Sequence, residues 1–376
     1  MSLRECLLVL ILVILSFPIF ADDDKHSWPD DISINGFLSV AYSYNFNTPA
    51  SATNQFRVFD FDDNSFKLDV AELVLQKAVA KPGDAGFRVD FEAGASIPRV
   101  IASNGLFRDP VTGVGEDFDI QQAYISYNAP IGKGLRFDFG KYVTHTGAEV
   151  IEGYDGFNDN YSRSLLFGFA IPFTHTGLRA SYTFNDHVSA MACVVNGWDN
   201  VKDNNSAKTF GGQLTLIPVK NLTFYVNYLG GPERNNDNDD SRHLFDLVSV
   251  WKPVNKVTLT LNYDYGNDAN AVAPGQDATW DGVAGYVRFQ AMEKFALVLR
   301  VETLHDSDGF RTGVAQRINE FTITPEYRFN EHFIVRGDLR SDSSNQDVFQ
   351  KENDSSGNPQ FKGRQTTIAA NAIYLF

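Results

Sequence analysis

From residue 32 onward, apolar and polar side chains alternate at period two in stretch after stretch, and the connections between stretches alternate just as regularly between long and short. Residues 133–140 read Lys-Gly-Leu-Arg-Phe-Asp-Phe-Gly, with Leu135, Phe137 and Phe139 on one side and Arg136 and Asp138 on the other. Phe333, Val335, Gly337 and Leu339 oppose Arg336, Asp338 and Arg340 in the same way, and Phe87, Val89 and Phe91 oppose Arg88, Asp90 and Glu92. A strand with this period shows one face to an apolar surrounding and the other to water. These strands are distinctive in that the polar side repeatedly carries opposite charges facing one another. Sixteen strands are expected between residues 32 and 376. Short connections include Lys81-Pro82-Gly83-Asp84, Asn185-Asp186, Met292-Glu293 and Asn330-Glu331; long ones carry Asn/Asp/Gly-rich text such as Arg234–Asp240.

Loop lengths sorted by parity, with an even strand count, predict an all-β fold: a transmembrane antiparallel β-barrel of about 16 strands, with short periplasmic turns and long extracellular loops. A sandwich or a propeller does not sort its loops this way. Closure follows from the bilayer, where an open edge leaves backbone groups unpaired in hydrocarbon. Three segments fit the pattern poorly. In 64–79 the apolar parity shifts between Val70 and Leu73, which calls for a bulge or another register. Segments 187–198 and 242–252 alternate weakly, as faces meeting a neighbouring subunit or a folded-in loop would.

A barrel also reconciles a mean hydropathy of -0.23 with 31 Phe, 15 Tyr and 13% aromatic residues. The net charge of -15, with no basic stripe, argues against nucleic acid as a partner. No Cys/His spacing reads as a metal site and no cofactor motif is present.

Residues 1–21 read as an export signal: Arg4 gives the positive region, Leu7 to Leu15 is apolar throughout, and Ala21 is a small residue at the cleavage point. Its removal takes Cys6 and leaves Cys193 as the single thiol. Residues 22–31 form a short periplasmic segment and 32–376 the barrel. The run is shorter than the ~20 residues of a spanning helix. At the other end, Ile368, Ala370, Ala372, Tyr374 and Phe376 keep period two, placing Tyr374 and Phe376 in the periplasmic aromatic girdle. A terminal aromatic strand of this kind resembles the signal read by the outer-membrane assembly machinery.

Several passages resemble the β-barrel porin family of the OmpL-like type. They are Tyr42–Asn47, Phe56–Asp60, Phe66–Leu73, Lys81–Arg88, Gly147–Val150, Tyr161–Ser164 and Ile171–Gly177. The resemblance spans nearly the whole mature chain and is densest in its first half. It implies an outer-membrane barrel of a Gram-negative bacterium that works as a porin, set in lipid and lipopolysaccharide, with assembly as a homotrimer left open.

On the inward faces, Arg88, Arg136, Arg179, Arg288, Arg300, Arg328, Arg336 and Arg340 are matched by Asp90, Glu92, Asp138, Asp264, Glu302, Glu320, Glu326 and Asp338. Two readings stand: ladders of ion pairs stiffening the wall, or a transverse field across a constriction. The pore wall is expected to include Arg88, Arg136, Arg179, Asp138, Arg300, Glu302, Arg336 and Asp338. The connection at about 148–173 is the longest. In sixteen-stranded general porins the loop at this place folds inward, and here it would set Glu149, Glu152, Asp155 and Asp159 against Arg88, Arg136 and Arg179. An outward, solvated loop is the other reading. Thr-His-Thr-Gly occurs at 144–147 and 174–177; it marks either a lumen pair, His145 and His175, titrating near neutral pH, or a local strand-end repeat. Residues 235–240 form a solvated loop or a weak divalent-cation site.

No nucleophile elbow, phosphate loop or His-Glu-x-x-His is present, and no histidine has an assignable serine partner. The expected function is therefore passive diffusion of small hydrophilic solutes or ions. The alternative is a barrel acting through its extracellular loops as an adhesin, receptor or scaffold.

Overall fold

The computed structural model describes residues 31–97, 106–107 and 115–376. The expected export signal at 1–21, and all of the 22–31 segment except Asp31, lie outside the described residues. The strands are β1 (Ile32–Asn45), β2 (Ser65–Lys77), β3 (Ala85–Ala93), β4 (Phe118–Ala129), β5 (Leu135–Val143) and β6 (Thr174–Asn185). They continue with β7 (Val188–Val195), β8 (Thr209–Val219), β9 (Leu222–Pro232), β10 (Ser241–Val254), β11 (Val257–Ala273) and β12 (Gln276–Met292). The last are β13 (Phe295–Asp306), β14 (Gln316–Arg328), β15 (Phe333–Ser344), the short β16 (Phe349–Lys351) and β17 (Gln360–Lys362), and β18 (Arg364–Leu375).

All but β16 and β17 join one closed barrel, so the wall has sixteen antiparallel strands, each beside its chain neighbour. The seam is β1 against β18, in register from Phe37 opposite Leu375 to Asn45 opposite Thr367. Mutual hydrogen bonds between Gly36 and Phe376 extend it by one pair. A ring at Phe376 lies where a Cβ on Gly36 would stand, so glycine is what lets the terminal aromatic fold flat on the wall. Tyr374 and Phe376 face outward and are exposed, as are Phe139, Ile125, Val301 and Leu339 on other strands. β16 and β17 form a hairpin inside the loop after β15.

One connection differs from its expectation. The alternation of long and short connections puts a long one after β11, but β11 and β12 extend until only residues 274–275 join them. After Asp268 the ladder slips and resumes at Ala273 opposite Gln276. Asn270 turns to positive φ there and donates its backbone N–H to Asp277 at 3.0 Å.

The poorly alternating segments have physical causes. In β2, Asp69 and Val70 are both buried, so the strand takes two consecutive inward steps where the parity shifts, and the regular ladder with β3 begins only at Ala71. In β10 and β7 the inward faces are partly apolar, where they meet apolar chain inside the barrel, although Asp246 of β10 is also buried there. Leu244, Cys193 and Val195 belong to a buried cluster with Phe59, Leu165, Leu166, Phe167, Ile171, Trp198 and Trp280. That cluster fills the long-loop end of the interior, and the connection between β5 and β6 gives it Leu165, Leu166, Phe167, Ala170, Ile171 and Phe173.

Candidate channel constriction

Gly147, at φ +88°, turns the chain off the end of β5, and the space its missing Cβ would need is taken by Ile171. The connection then crosses the lumen instead of leaving it. Its root is fixed where Ala148 donates its N–H to Asn262 on β11 at 3.1 Å. Glu149 accepts from Arg300 at 2.8 Å and from Tyr286 at 3.1 Å, and Glu152 accepts from Arg336 at 3.0 Å. Arg163, on the returning limb of the same loop, pairs with Glu152 at 3.0 Å. Burial alone would raise the Glu152 carboxyl, but Arg163 and Arg336 hold it below its ordinary value.

A chain that enters a protein interior must satisfy its backbone N–H groups there. Asp338 accepts from the N–H groups of Tyr161 and Ser162 at 3.0 and 3.2 Å, and Glu302 accepts from Leu165 at 2.7 Å. These wall carboxylates are receptors for the loop's backbone. A π-helical turn, Leu166–Ala170, follows. Trp280 donates its indole N–H to Ala170 at 3.0 Å, and Leu166 occupies the place a Cβ on Gly282 would need.

The loop tip is a tight hairpin, closed by Gly153 donating to Gly156 at 2.8 Å. Glu72 on β2 accepts the Tyr154 N–H at 2.8 Å, and its carboxylate stands within 3 Å of where a Gly153 Cβ would be. Asp155 reaches Arg88 at 2.5 Å and Asp159 reaches Arg288 at 2.6 Å.

A second loop, 46–64 between β1 and β2, also enters the interior. Arg57 is buried between Asp60 and Asp342, at 2.5 Å from each. Phe59 packs on Phe167 and Phe173 with centroids 5.7 Å apart, and Arg163 lies 5.1 Å over its ring. The sequence reading used this stretch only as a family motif and missed its place in the lumen. Its signal was three phenylalanines and an arginine within 56–61, an aromatic density shared with the 148–173 loop and absent from Asn/Asp-rich loops such as 234–240.

The four expected loop acids therefore split. Glu149 and Glu152 are buried and tie the loop to β13 and β15, far round the wall from the arginines expected to face them. Only Asp155, 49% exposed at its side chain, and Asp159, at 40%, reach water. The expected pore wall splits too. Arg300, Glu302, Arg336 and Asp338 are sealed beneath the loop and do not line open space. Arg88, Arg136 and Arg179 stand on the opposite wall. Arg136 and Arg179 share Asp138, at 3.0 and 2.8 Å, and Arg88 pairs with Asp90 at 2.8 Å. Between Arg88, Arg179 and the loop edge lies a cleft of about 240 Å³, lined by Glu72, Gln122, Tyr124, Val150, Gly153 and Asp155 among others.

His145 and His175 do come together, with ring centroids 5.9 Å apart. His175 is buried, with its ring nitrogens at 3.0 Å from the Thr144 hydroxyl and 3.2 Å from the Gly197 carbonyl. Titration near neutrality does not hold for His145, since burial pushes its imidazole down to about 4. In the 235–240 loop, Asp240 pairs with Arg234 at 3.0 Å and Asp237 accepts the backbone N–H groups of Asp239 and Asp240.

A family model described as "Putative beta-barrel porin-2, OmpL-like" matches residues 31–376. No curated protein matches the chain. Among solved structures, the anion-selective porin from Comamonas acidovorans is 10% identical, matches over 92% of this chain and 99% of its own, and gives a TM-score of 0.62. OmpT of Vibrio cholerae is 11% identical over 92% and 97%, with a TM-score of 0.60. The outer membrane channel DcaP of Acinetobacter baumannii is 11% identical over the same shares, with a TM-score of 0.58. At such identities the likeness is one of fold.

Proposed function

Because this chain belongs to the OmpL-like β-barrel porin family, a family of Gram-negative outer-membrane channels, we propose that it passes small hydrophilic solutes and ions through the cleft between the 148–173 loop and the β3–β6 wall. No chemical step is involved; the protein supplies a width and a field. One observation carries this reading. The loop closes the lumen over β10–β15 with buried contacts, yet beside its tip a cleft of about 240 Å³ remains next to Arg88 and Arg179. On the short-turn side of that cleft, Ser181, Thr215, Thr260 and Gln290 face inward and are half-buried, which suits a wet vestibule. Asp155 and Asp159 on the loop and Arg88, Arg136 and Arg179 on the wall are the charged groups a solute would meet.

The outer face would meet outer-membrane lipid and, in the outer leaflet, lipopolysaccharide. Tyr374 and Phe376 supply the terminal aromatic pattern for the assembly machinery. A homotrimer would close on the low side of the barrel, where β3, β5 and β7 have only nine, nine and eight residues. A trimeric form is known for OmpT of Vibrio cholerae.

The test is single-channel recording of the refolded protein in a planar bilayer under symmetric salt. Small, steady steps are expected from so narrow a cleft. Silence from a folded, heat-modifiable barrel would overturn the channel reading and leave a protein acting through its outer loops.

A further inference from the structure

We propose that the channel selects small anions, and that Arg136, Arg179 and Arg88 form the staircase along which they move. The proposal rests on the channel reading above and adds the class of solute to it.

What matters in a lumen is the charge that reaches water, and here the arginines stand in front of their acids. The side chains of Arg136, Arg179 and Arg88 are 42%, 21% and 12% exposed, whereas Asp138 and Asp90, which anchor them, are 3% and 0% exposed. The far wall repeats the arrangement: Arg288 is 19% and Arg328 43% exposed, above Glu326 at 2%. Against these five cations, the acids of the loop edge that reach water are Asp155 and Asp159.

The strand registers order the first three. Arg136 lies opposite Ser181, near the short-turn end of β5. Arg179 lies opposite Asp138, two residues higher. Arg88 lies opposite Tyr124, which faces Gly140, two residues higher again. Each step is therefore about 7 Å along the wall. Arg136 and Arg179 stand on adjacent strands, so their separation is close to the ~8 Å screening length of physiological salt and their fields overlap; Arg88, three strands from Arg179, continues the series at the loop edge. Glu72 and Asp155 line the cleft together with Arg88 and Arg179, but Glu72 is buried and Asp155 is bonded to Arg88. An excess of one exposed sign in a low-dielectric cleft concentrates the opposite ion. Arg179 is held in place by Tyr142, 4.4 Å from its guanidinium carbon, and by Tyr124 at 5.5 Å. The chain's net charge of -15 would suggest the reverse preference, but charge outside the cleft does not set its field.

The experiment is the reversal potential of the refolded protein in a planar bilayer under a KCl gradient, for the wild type and for Arg136→Gln, Arg179→Gln, Arg136→Lys and Asp155→Asn. Heat-modifiable gel mobility confirms that each is folded. The wild type should pass chloride several-fold better than potassium. Arg136→Gln and Arg179→Gln should each move the ratio toward one, Arg136→Lys should keep it, and Asp155→Asn should raise it. A wild-type channel that conducts but prefers potassium would overturn this proposal alone. So would a ratio unmoved by both glutamine variants. An absence of conductance would overturn the channel reading and this proposal with it.

Discussion

Two sides of one barrel use the same residue types for opposite ends. On β13–β15, Arg300, Arg336 and Arg340 are wholly buried and bonded to the 148–173 loop as well as to their own wall. On β3–β6, Arg136 and Arg179 pair with their own wall and turn their remaining N–H groups to open space, while Arg88 bridges its wall's Asp90 and the exposed Asp155 of the loop tip. The inward patterns of the two sides, basic and acidic residues at every second position, are alike. The difference lies in what stands across the lumen. Where a loop is seated, charge becomes mortar, because each ion needs a partner once water is gone. Where none is seated, the same ladder is available as a field.

Several changes would break or sharpen that contrast. The largest effect is expected from Arg300→Ala, which strips Glu149, Glu302 and Glu320 of a shared buried cation. Leaving such charges uncompensated costs about 3–5 kcal/mol. It should free the loop, so conductance should rise several-fold and become noisy, while the midpoint of urea unfolding falls. Gly282→Val comes next, since its Cβ would stand 2.7 Å from both Leu166 and the Thr303 carbonyl. Overpacking of about 1–3 kcal/mol should displace the π-helical turn and alter conductance without changing ion preference.

A smaller, pH-dependent loss should come from His145. Its imidazole titrates at about 4 in the folded protein and near 6.5 when unfolded. Between these values the unfolded chain binds more protons, so the stability is intact above about 6.5 and declines as pH falls toward 4. Urea unfolding at a series of pH values should show this slope, flattened in His145→Asn. The smallest effect on stability belongs to Arg136→Ala. An ion pair this exposed contributes about 0–1 kcal/mol, so the unfolding midpoint should hardly move. An Arg136→Ala protein that unfolds like Arg300→Ala would erase the distinction between the two sides.

Much of the barrel was legible because period two is a property of neighbouring residues. The sixteen strands, the outward Tyr374 and Phe376, and the length-sorted connections follow from alternation and from the need to close a sheet in lipid. The constriction was legible in part. Length alone singled out the 148–173 loop, but Glu149 and Glu152 could not be told from Asp155 and Asp159, since all four are loop acids. The weak alternation of β7 and β10 was a trace of the folded-in chain on the wall, but it named no partner. Arg57 and Arg163 passed unnoticed because loop residues have no period to give them a face.

The sequence by itself thus determined that the chain closes a membrane barrel, and which side looks inward in the strands that alternate cleanly. Only the tertiary structure decided which inward charges meet water and which are walled in. A strand's period fixes the direction of a side chain, whereas its surroundings are set by chain segments a hundred or more residues away, as Glu149 and Arg300 are from one another.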